Sequence, residues 1–179
     1  MSKRAGDFIS AQDLSNEVSK DAIRFMMLNR SNDAEIDFDF DKVKEKTKDN
    51  PVYYVQYAYA RINSILRTIN QGLDKKILVS INSFSPNQYE VKILRKIFEW
   101  PKIIETASNK FEPHKIPFYL YELSTLFHSY WSKGNEDIKF RFVENGKIKR
   151  NEALAFIHLI AIVIKNGMNI LGVSLPKKM

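Results

Sequence analysis

The sequence predicts an all-α protein whose main part is a helix bundle. From residue 51 onward, apolar residues recur at steps of three and four, the spacing that places them on one face of an α-helix. The 179 residues include only six glycines and six prolines, which is few for a turn-rich β fold. Hydrophobic residues make up 44% of the chain, so it can bury a core of its own. We expect strand only in short extended pieces, around residues 33–40 and 77–81.

Short helices and an acidic stretch are predicted ahead of the bundle. Ser19 can cap a helix whose apolar side includes Phe25. Residues 33–40 alternate acidic with bulky side chains, which is typical of a short extended segment. A charge-rich helix over 42–48 follows, and we interpret its charges as a solvated face. The predicted domains are therefore residues 1–49 and residues 50–179.

Four helical stretches account for the predicted bundle. Pro51 fits the first turn of the first helix, where Asp49 or Asn50 can cap the free N–H groups. Phe98 and Phe111 are among the residues predicted to face the core. We assign no structure to the connector over 72–85 or to the polar insert over 132–150. The last helix is apolar on most sides, so we expect it to lie at the centre of the bundle. The predicted helices cover residues 51–71, a stretch that begins at Ser85–Pro86 and is interrupted at Trp100–Pro101, residues 117–132, and residues 152–171.

Charge is unevenly distributed along the chain, whose net charge is +7. Residues 1–50 carry 9 Lys and Arg against 11 Asp and Glu, a balance of −2. Residues 51–179 carry the remaining 19 against 10, a balance of +9. A basic domain attracts polyanions, and phosphate contacts supply most sequence-independent affinity for nucleic acids.

Several classes of site are disfavoured by composition. The chain has no cysteine, which excludes disulfides and thiolate metal sites. Its three histidines, His114, His128 and His158, lie too far apart in sequence for a paired metal motif, so we expect no metal site. The longest apolar run, 153–164, is shorter than the ~20 residues that cross a bilayer. We expect a soluble protein with no membrane partner.

One helix face carries a candidate binding surface. Tyr53, Tyr57 and Arg61 follow each other at four-residue steps, which places them in one line along the first predicted helix. Phenol rings beside a guanidinium form a stacking platform suited to unpaired nucleotides. The alternative is that the tyrosines fill the edges of a helical core.

Three stretches of the chain resemble arginyl-tRNA synthetases, in the same order. Residues 50–61, N-P-V-Y-Y-V-Q-Y-A-Y-A-R, closely resemble the start of that family's anticodon-binding domain. Residues 1–6, M-S-K-R-A-G, resemble the class I signature loop usually written K-M-S-K-S. Residues 165–179 resemble the family's C-terminus down to its final methionine. One departure lies in the last helix, where the family's Asp-Ala-Leu-Arg is replaced by Glu152-Ala153-Leu154-Ala155.

The resemblance implies a class I synthetase anticodon-binding helix bundle over 50–179, preceded by the signature loop and short stem-contact helices over 1–49. Its expected partner is a tRNA with an arginine anticodon, and its expected role is anticodon recognition within an enzyme that attaches arginine to that tRNA. DNA is not an expected partner, and we expect a monomer in the cytoplasm. The residues that the resemblance implies for tRNA binding are Tyr53, Tyr57, Arg61, Tyr119, Trp131 and Met179, the last closing the pocket through its terminus.

Catalysis is implied only for the signature loop. Met1, Ser2, Lys3 and Arg4 would face ATP phosphates, and Lys3 would stabilise charge that develops as the adenylate forms. No glycine-rich phosphate loop or alternating β and α pattern is found, so the rest of the active site is expected in a catalytic domain in cis. We expect this segment to bind no cofactor and to be inactive alone, while the full-length enzyme uses ATP with magnesium.

Two alternatives remain at this stage. One is a free-standing helical RNA-binding protein, and the other is a helical protein-interaction module in which the tyrosines form a partner interface. Salt dependence separates them, because RNA affinity falls steeply with ionic strength and an aromatic protein interface does not.

Overall fold

The computed structural model describes residues 17–31, 34, 40–69 and 85–179, and the fold within these residues is almost entirely helical. The signature-loop residues, the 77–81 segment and all but two residues of 33–40 lie outside the described ranges. The elements are α1 (Lys20–Leu28), α2 (Phe40–Lys44), α3 (Pro51–Thr68), α4 (Gln88–Phe98), α5 (Trp100–Asn109), α6 (Lys115–Glu136), a 3₁₀ turn (Ile138–Phe140), β1 (Val143–Glu144), β2 (Lys147–Ile148) and α7 (Asn151–Leu171).

Helix α3 begins at the predicted proline and is capped by Asn50 rather than Asp49. The Asn50 side-chain oxygen accepts a hydrogen bond from the Tyr53 amide at 3.3 Å. Its amide group donates to the carbonyl oxygens of Val43 and Glu45, at 2.7 and 2.8 Å. Because Asn50 is buried and satisfied on both sides, it fixes the direction in which α3 leaves the α2 turn.

Helices α3, α6 and α7 pack together around the core. Ile62, Leu120 and Ile160, one from each helix, are fully buried. The stretch Glu152–Leu171 is long enough and, with a mean hydropathy of 1.8, apolar enough to cross a bilayer. However, 61% of it is buried inside the protein. Its apolar character is therefore explained by its central position in the bundle, as the sequence predicted.

Helix α4 begins later than predicted. Asn87, not Ser85, caps it, and Asn87 and Glu90 form a capping box. Phe98 and Phe111 are 78% and 80% exposed, so the prediction that they face the core is wrong. Phe98 is the residue after buried Ile97 and so lies about 100° further around α4. Phe111 follows the end of α5 with a φ of 54°, where helical spacing no longer applies.

The insert over 132–150, for which the sequence predicts no structure, contains the end of α6, the 3₁₀ turn and a β-hairpin. Val143 pairs with Ile148 and Glu144 with Lys147 in an antiparallel ladder. Asn145 and Gly146 connect the strands with φ values of 50° and 74°. Positive φ at both central residues is what a type I′ hairpin turn requires, and Asn-Gly is its preferred sequence.

Helix α1 packs against α3 and α7. The predicted cap is confirmed, since the Ser19 hydroxyl accepts from the Ala22 amide at 3.2 Å. Arg24 donates from Nε to the Leu171 carbonyl at the end of α7. Gly172 follows with a φ of 65°, and a Cβ there would lie 2.8 Å from Nε of Arg24. Phe25 joins the hydrophobic cluster of the bundle, and the domain boundary after residue 49 stays a prediction.

Candidate functional site

A groove of about 550 Å³ lies between α3, the end of α6, strand β1 and the C-terminal tail. One wall is the line of side chains at three- and four-residue steps along α3. The opposite wall is formed by α6, β1 and the tail. The residues along the groove are Tyr57, Ala60, Arg61, Ser64, Ile65, Arg67, Thr68, Trp131, Val143, Lys178 and Met179.

A row of three rings leads into the groove. The rings of Tyr53 and Tyr57 stack with centroids 5.7 Å apart and planes inclined by 14°. Tyr57 also stacks on His128 of α6, at 5.5 Å and 21°. Tyr53 and Tyr57 are both half-buried. The four-residue step on α3 produces this alignment because residues i and i+4 lie on the same helix face.

Arg61 extends the row as its charged member. Its guanidinium carbon lies 4.4 Å from the ring centroid of Tyr57 and 5.0 Å from that of Trp131. Nη2 of Arg61 donates to the Tyr57 hydroxyl at 2.6 Å. Both rings therefore stabilise the cation, and the arginine is held in one position at the floor of the groove.

His128 holds Arg61 from the core side. Nη1 of Arg61 lies 3.0 Å from Nδ1 of His128, and Nε2 of His128 lies 3.2 Å from the Tyr54 carbonyl. Because an arginine only donates, Nδ1 must accept and the proton must sit on Nε2, which donates to Tyr54. Burial is the main cause that lowers the pKa of His128 to about 4; the hydrogen bond to the Tyr54 carbonyl opposes this shift, and the nearby Arg61 charge adds to it. The imidazole is therefore neutral at neutral pH.

The C-terminal tail is tied to α3 by two side chains. Nε2 of Gln56 donates to the Ser174 carbonyl at 2.9 Å, and Nη1 of Arg67 donates to the Lys177 carbonyl at 2.7 Å. These bonds bring Lys178 and Met179 to the mouth of the groove. Arg61, Arg67 and Lys178 give the groove three cations, as a surface that binds phosphates requires.

The structure brings most of the sequence-predicted binding residues together. Tyr57, Arg61, Trp131 and Met179 all line the groove. Tyr53 flanks it through its stack on Tyr57. Whether these side chains contact RNA stays a prediction.

Tyr119 does not belong to this site, which corrects its assignment. It is 2% exposed, its hydroxyl donates to the Lys96 carbonyl at 2.7 Å, and its ring packs on Trp100 at 5.1 Å. Tyr119 precedes Trp131 by twelve residues, which on an ideal helix is about 120° of rotation. The two side chains therefore point to different faces of α6, and Tyr119 is a core residue.

The predicted binding residues did not include two cations that line the groove, Arg67 and Lys178, or His128, which holds Arg61 in place. His128 lies three residues before Trp131 on α6, and this spacing could have indicated a shared face. Arg67 donates to the Lys177 carbonyl, which brings the neighbouring Lys178 to the groove, and a bond to a backbone carbonyl has no signature in the sequence. Within the described residues, no group of three His, Asp or Glu side chains is placed to hold a metal ion.

Comparison with known proteins places this bundle in a family. The family described as the DALR anticodon binding domain matches residues 55–179. The chain belongs to the DALR anticodon-binding domain family. The match includes α3 from its second turn onward, both long helices α6 and α7, and every residue that lines the groove. Ala155 occupies the position of the arginine in the Asp-Ala-Leu-Arg string after which the family is named. It lies near the start of α7 and does not line the groove.

Curated relatives of this DALR domain chain are arginine–tRNA ligases. The chain is 56% identical over its whole length to the arginine–tRNA ligase of Pelagibacter ubique and covers 31% of that protein. It is 42% identical to the arginine–tRNA ligase of Ruegeria pomeroyi and covers 32% of it. The chain thus spans about a third of the length of the curated relatives that it matches.

Solved structures share the fold of this DALR domain chain. A crystal structure from Campylobacter jejuni, assigned as an arginyl-tRNA synthetase, superposes with a TM-score of 0.82 at 29% identity, covering 99% of this chain and 37% of that one. The Thermus thermophilus arginyl-tRNA synthetase superposes with a TM-score of 0.69 at 22% identity, covering 99% and 29%. The predicted all-α fold is confirmed, with the small hairpin as an addition.

Proposed function

We propose that the chain binds the anticodon loop of an arginine tRNA, as the C-terminal part of an arginine–tRNA ligase. The observation that carries the proposal is the groove, in which Tyr57, Arg61 and Trp131 form one contiguous aromatic and cationic surface. Unpaired bases bind by stacking on aromatic rings and guanidinium planes, with hydrogen bonds to their edges. Paired stems cannot enter a surface of this kind, so a loop is the fitting ligand.

Base recognition in the groove is assigned to Arg61. Two of its nitrogens are directed to His128 and Tyr57, which fixes the plane of the guanidinium. A fixed guanidinium presents its other N–H groups in a defined direction, so it favours bases with acceptors at the matching positions. Tyr53 and Tyr57 supply stacking that tolerates any base, while Arg67 and Lys178 are placed for phosphates.

The rest of the enzyme's chemistry is assigned to sequence beyond this bundle. Lys3, with Met1, Ser2 and Arg4, is proposed to face the phosphates of ATP during adenylate formation, with magnesium as the ion that accompanies ATP. The catalytic domain in cis would hold arginine and ATP. Cytoplasmic, monomeric action with no membrane or DNA partner is part of the same proposal.

Anticodon recognition is tested by titrating the chain with two RNA stem-loops that differ only in the anticodon. The arginine anticodon should bind at least tenfold more tightly, and Arg61→Met should remove most of the difference. A salt series on the wild type should show affinity falling steeply with ionic strength, as counterion release requires. Equal affinity for the two stem-loops, or affinity independent of salt, contradicts the proposal.

The enzymatic part is tested in a chimera. The chain replaces the matching third of the Pelagibacter ubique arginine–tRNA ligase, to which it is 56% identical. The chimera should charge arginine tRNA, and Lys3→Ala within it should lower adenylate formation much more than arginine binding. The isolated chain should neither exchange pyrophosphate nor charge tRNA. A folded chimera that cannot charge tRNA rejects membership in such an enzyme.

A further inference from the structure

A second, smaller cavity lies next to the groove. It has a volume of about 180 Å³, and its lining includes Trp131, Phe140 and Phe142 together with Gly134 of α6. Three of its seven lining residues are aromatic, and its volume suits a single ring system rather than a whole nucleotide. Trp131 and Val143 line both this cavity and the groove, so the two are neighbours that share a wall.

The walls of the small cavity are fixed by aromatic packing. Phe142 is 3% exposed, stacks on Trp131 at 6.3 Å and 23°, and meets Tyr130 edge to face at 4.9 Å. Phe140 packs edge to face on Tyr89 at 5.3 Å. Rings held on several sides keep their orientation, so the cavity exists before a ligand arrives.

The 3₁₀ turn and hairpin are held against α6 at this point. Nε of Arg141 donates to the Gly134 carbonyl at 2.8 Å. The exposed side chains of Asn135 and Arg141 then stand at the rim of the cavity.

A nucleobase matches this combination of features. Ligand sites for planar rings are mostly apolar with a few polar groups that fix orientation. The Asn135 amide offers both a donor and an acceptor at the rim, which suits a base edge. A purely aliphatic ligand would leave these rim groups without partners.

We propose that the small cavity is a second base-binding subsite for the same RNA. One unpaired base lies in the groove against Tyr57 and Arg61, and a neighbouring base of the loop lies beyond Trp131. The inference rests on the proposed function, because the RNA that supplies the first base supplies the second. Trp131 separates the two bases and is the only tryptophan at the site.

The test uses a plug in the small cavity and a fluorescent base in the RNA. Asn135→Trp fills the cavity from its rim without altering a residue that lines the groove. Asn166→Trp is the matched control, since Asn166 is an exposed helical asparagine on α7 that lines neither cavity. The ligand is the arginine anticodon stem-loop with 2-aminopurine at one loop position at a time.

The wild type and the control should quench 2-aminopurine at two loop positions, one for each subsite. Asn135→Trp should remove the quenching at only one of these positions. It should also weaken binding about tenfold, which corresponds to the loss of one stacked base. Asn135→Leu, a smaller plug, is measured beside it, and thermal melting verifies that each variant is folded. If Asn135→Trp and Asn135→Leu are both folded and both leave affinity and quenching unchanged, the proposal of a second subsite is overturned. If the wild type shows no preference for the arginine anticodon, the proposed function itself fails.

Discussion

His128 positions Arg61 by accepting a hydrogen bond from its guanidinium, with Nη1 of Arg61 3.0 Å from Nδ1 of His128. The contact requires a neutral imidazole whose proton lies on Nε2, and the Tyr54 carbonyl 3.2 Å away selects that tautomer. Burial, which lowers the His128 pKa to about 4, keeps the acceptor available at neutral pH. A core residue thereby sets the direction of a cation at the floor of the groove.

Replacing His128 should therefore impair recognition through Arg61. We expect His128→Gln to reduce the preference for the arginine anticodon by about tenfold, since a hydrogen bond to a charged group contributes about 1.5–3 kcal/mol. The measurement is a double-mutant cycle with Arg61→Met, using the two stem-loops. In the Arg61→Met background, His128→Gln should cause no further loss of preference. Additive losses would show that His128 does not act through Arg61.

Acid should destabilise the fold through His128. Its pKa is lowered in the folded state, so between pH 6.5 and about 4 the unfolded chain binds a proton that the folded chain does not. Stability is unaffected by this group above pH 6.5 and falls as the pH drops through that window, by up to about 3 kcal/mol. Urea melts from pH 7.5 to 4 should show this fall in the wild type and a smaller one in His128→Gln. Parallel curves for the two proteins would exclude His128 as the source.

Tyr57 should matter for stacking more than for folding. Its ring is half-buried and lies between Tyr53 and His128, so Tyr57→Ala should weaken RNA binding about tenfold or more. Tyr57→Phe keeps the ring and loses only the hydroxyl bond to Arg61, so its binding should be closer to wild type. Thermal melting accompanies each titration. If Tyr57→Ala fails to fold, Tyr57 is a core residue and the stacking assignment is rejected.

Lys178 should contribute affinity without base preference. It lines the mouth of the groove, and one phosphate contact lowers the slope of log K against log salt by about one. Lys178→Gln should therefore flatten the salt dependence and weaken all stem-loops alike. Lys165→Gln, on the exposed side of α7 and away from the groove, is the control and should leave the slope unchanged. Equal slopes in all three proteins would remove Lys178 from the interface.

The helices could be predicted well from sequence because their signals are local. The Asn50–Pro51 start of α3 and the apolar character of α7 are set by residues within one or two turns. Asn145-Gly146 is a strong turn signal, but it does not by itself predict the hairpin, because the two strands are only two residues long. Such short strands carry no detectable alternation.

The site was only partly predictable because it depends on which face each helix turns inward. Tyr57 and Arg61 could be paired from their spacing, since both lie on one helix. The twelve-residue spacing places Tyr119 and Trp131 on different faces of α6, but only the packing of α6 shows that the face of Tyr119 is the one turned to the core. The position of Met179 depends on the bond from Arg67 to a backbone carbonyl, which any residue could supply.

The two tryptophans allow the central claim to be tested in one measurement. Trp131 lies in the groove beside Arg61, whereas Trp100 packs against Tyr119 away from it. Each indole N–H gives its own signal in a nitrogen–proton NMR spectrum of the labelled chain. On titration with the arginine anticodon stem-loop, the Trp131 signal should shift to saturation while the Trp100 signal stays in place. A saturated complex in which the Trp131 signal does not move would contradict binding of the anticodon loop in this groove.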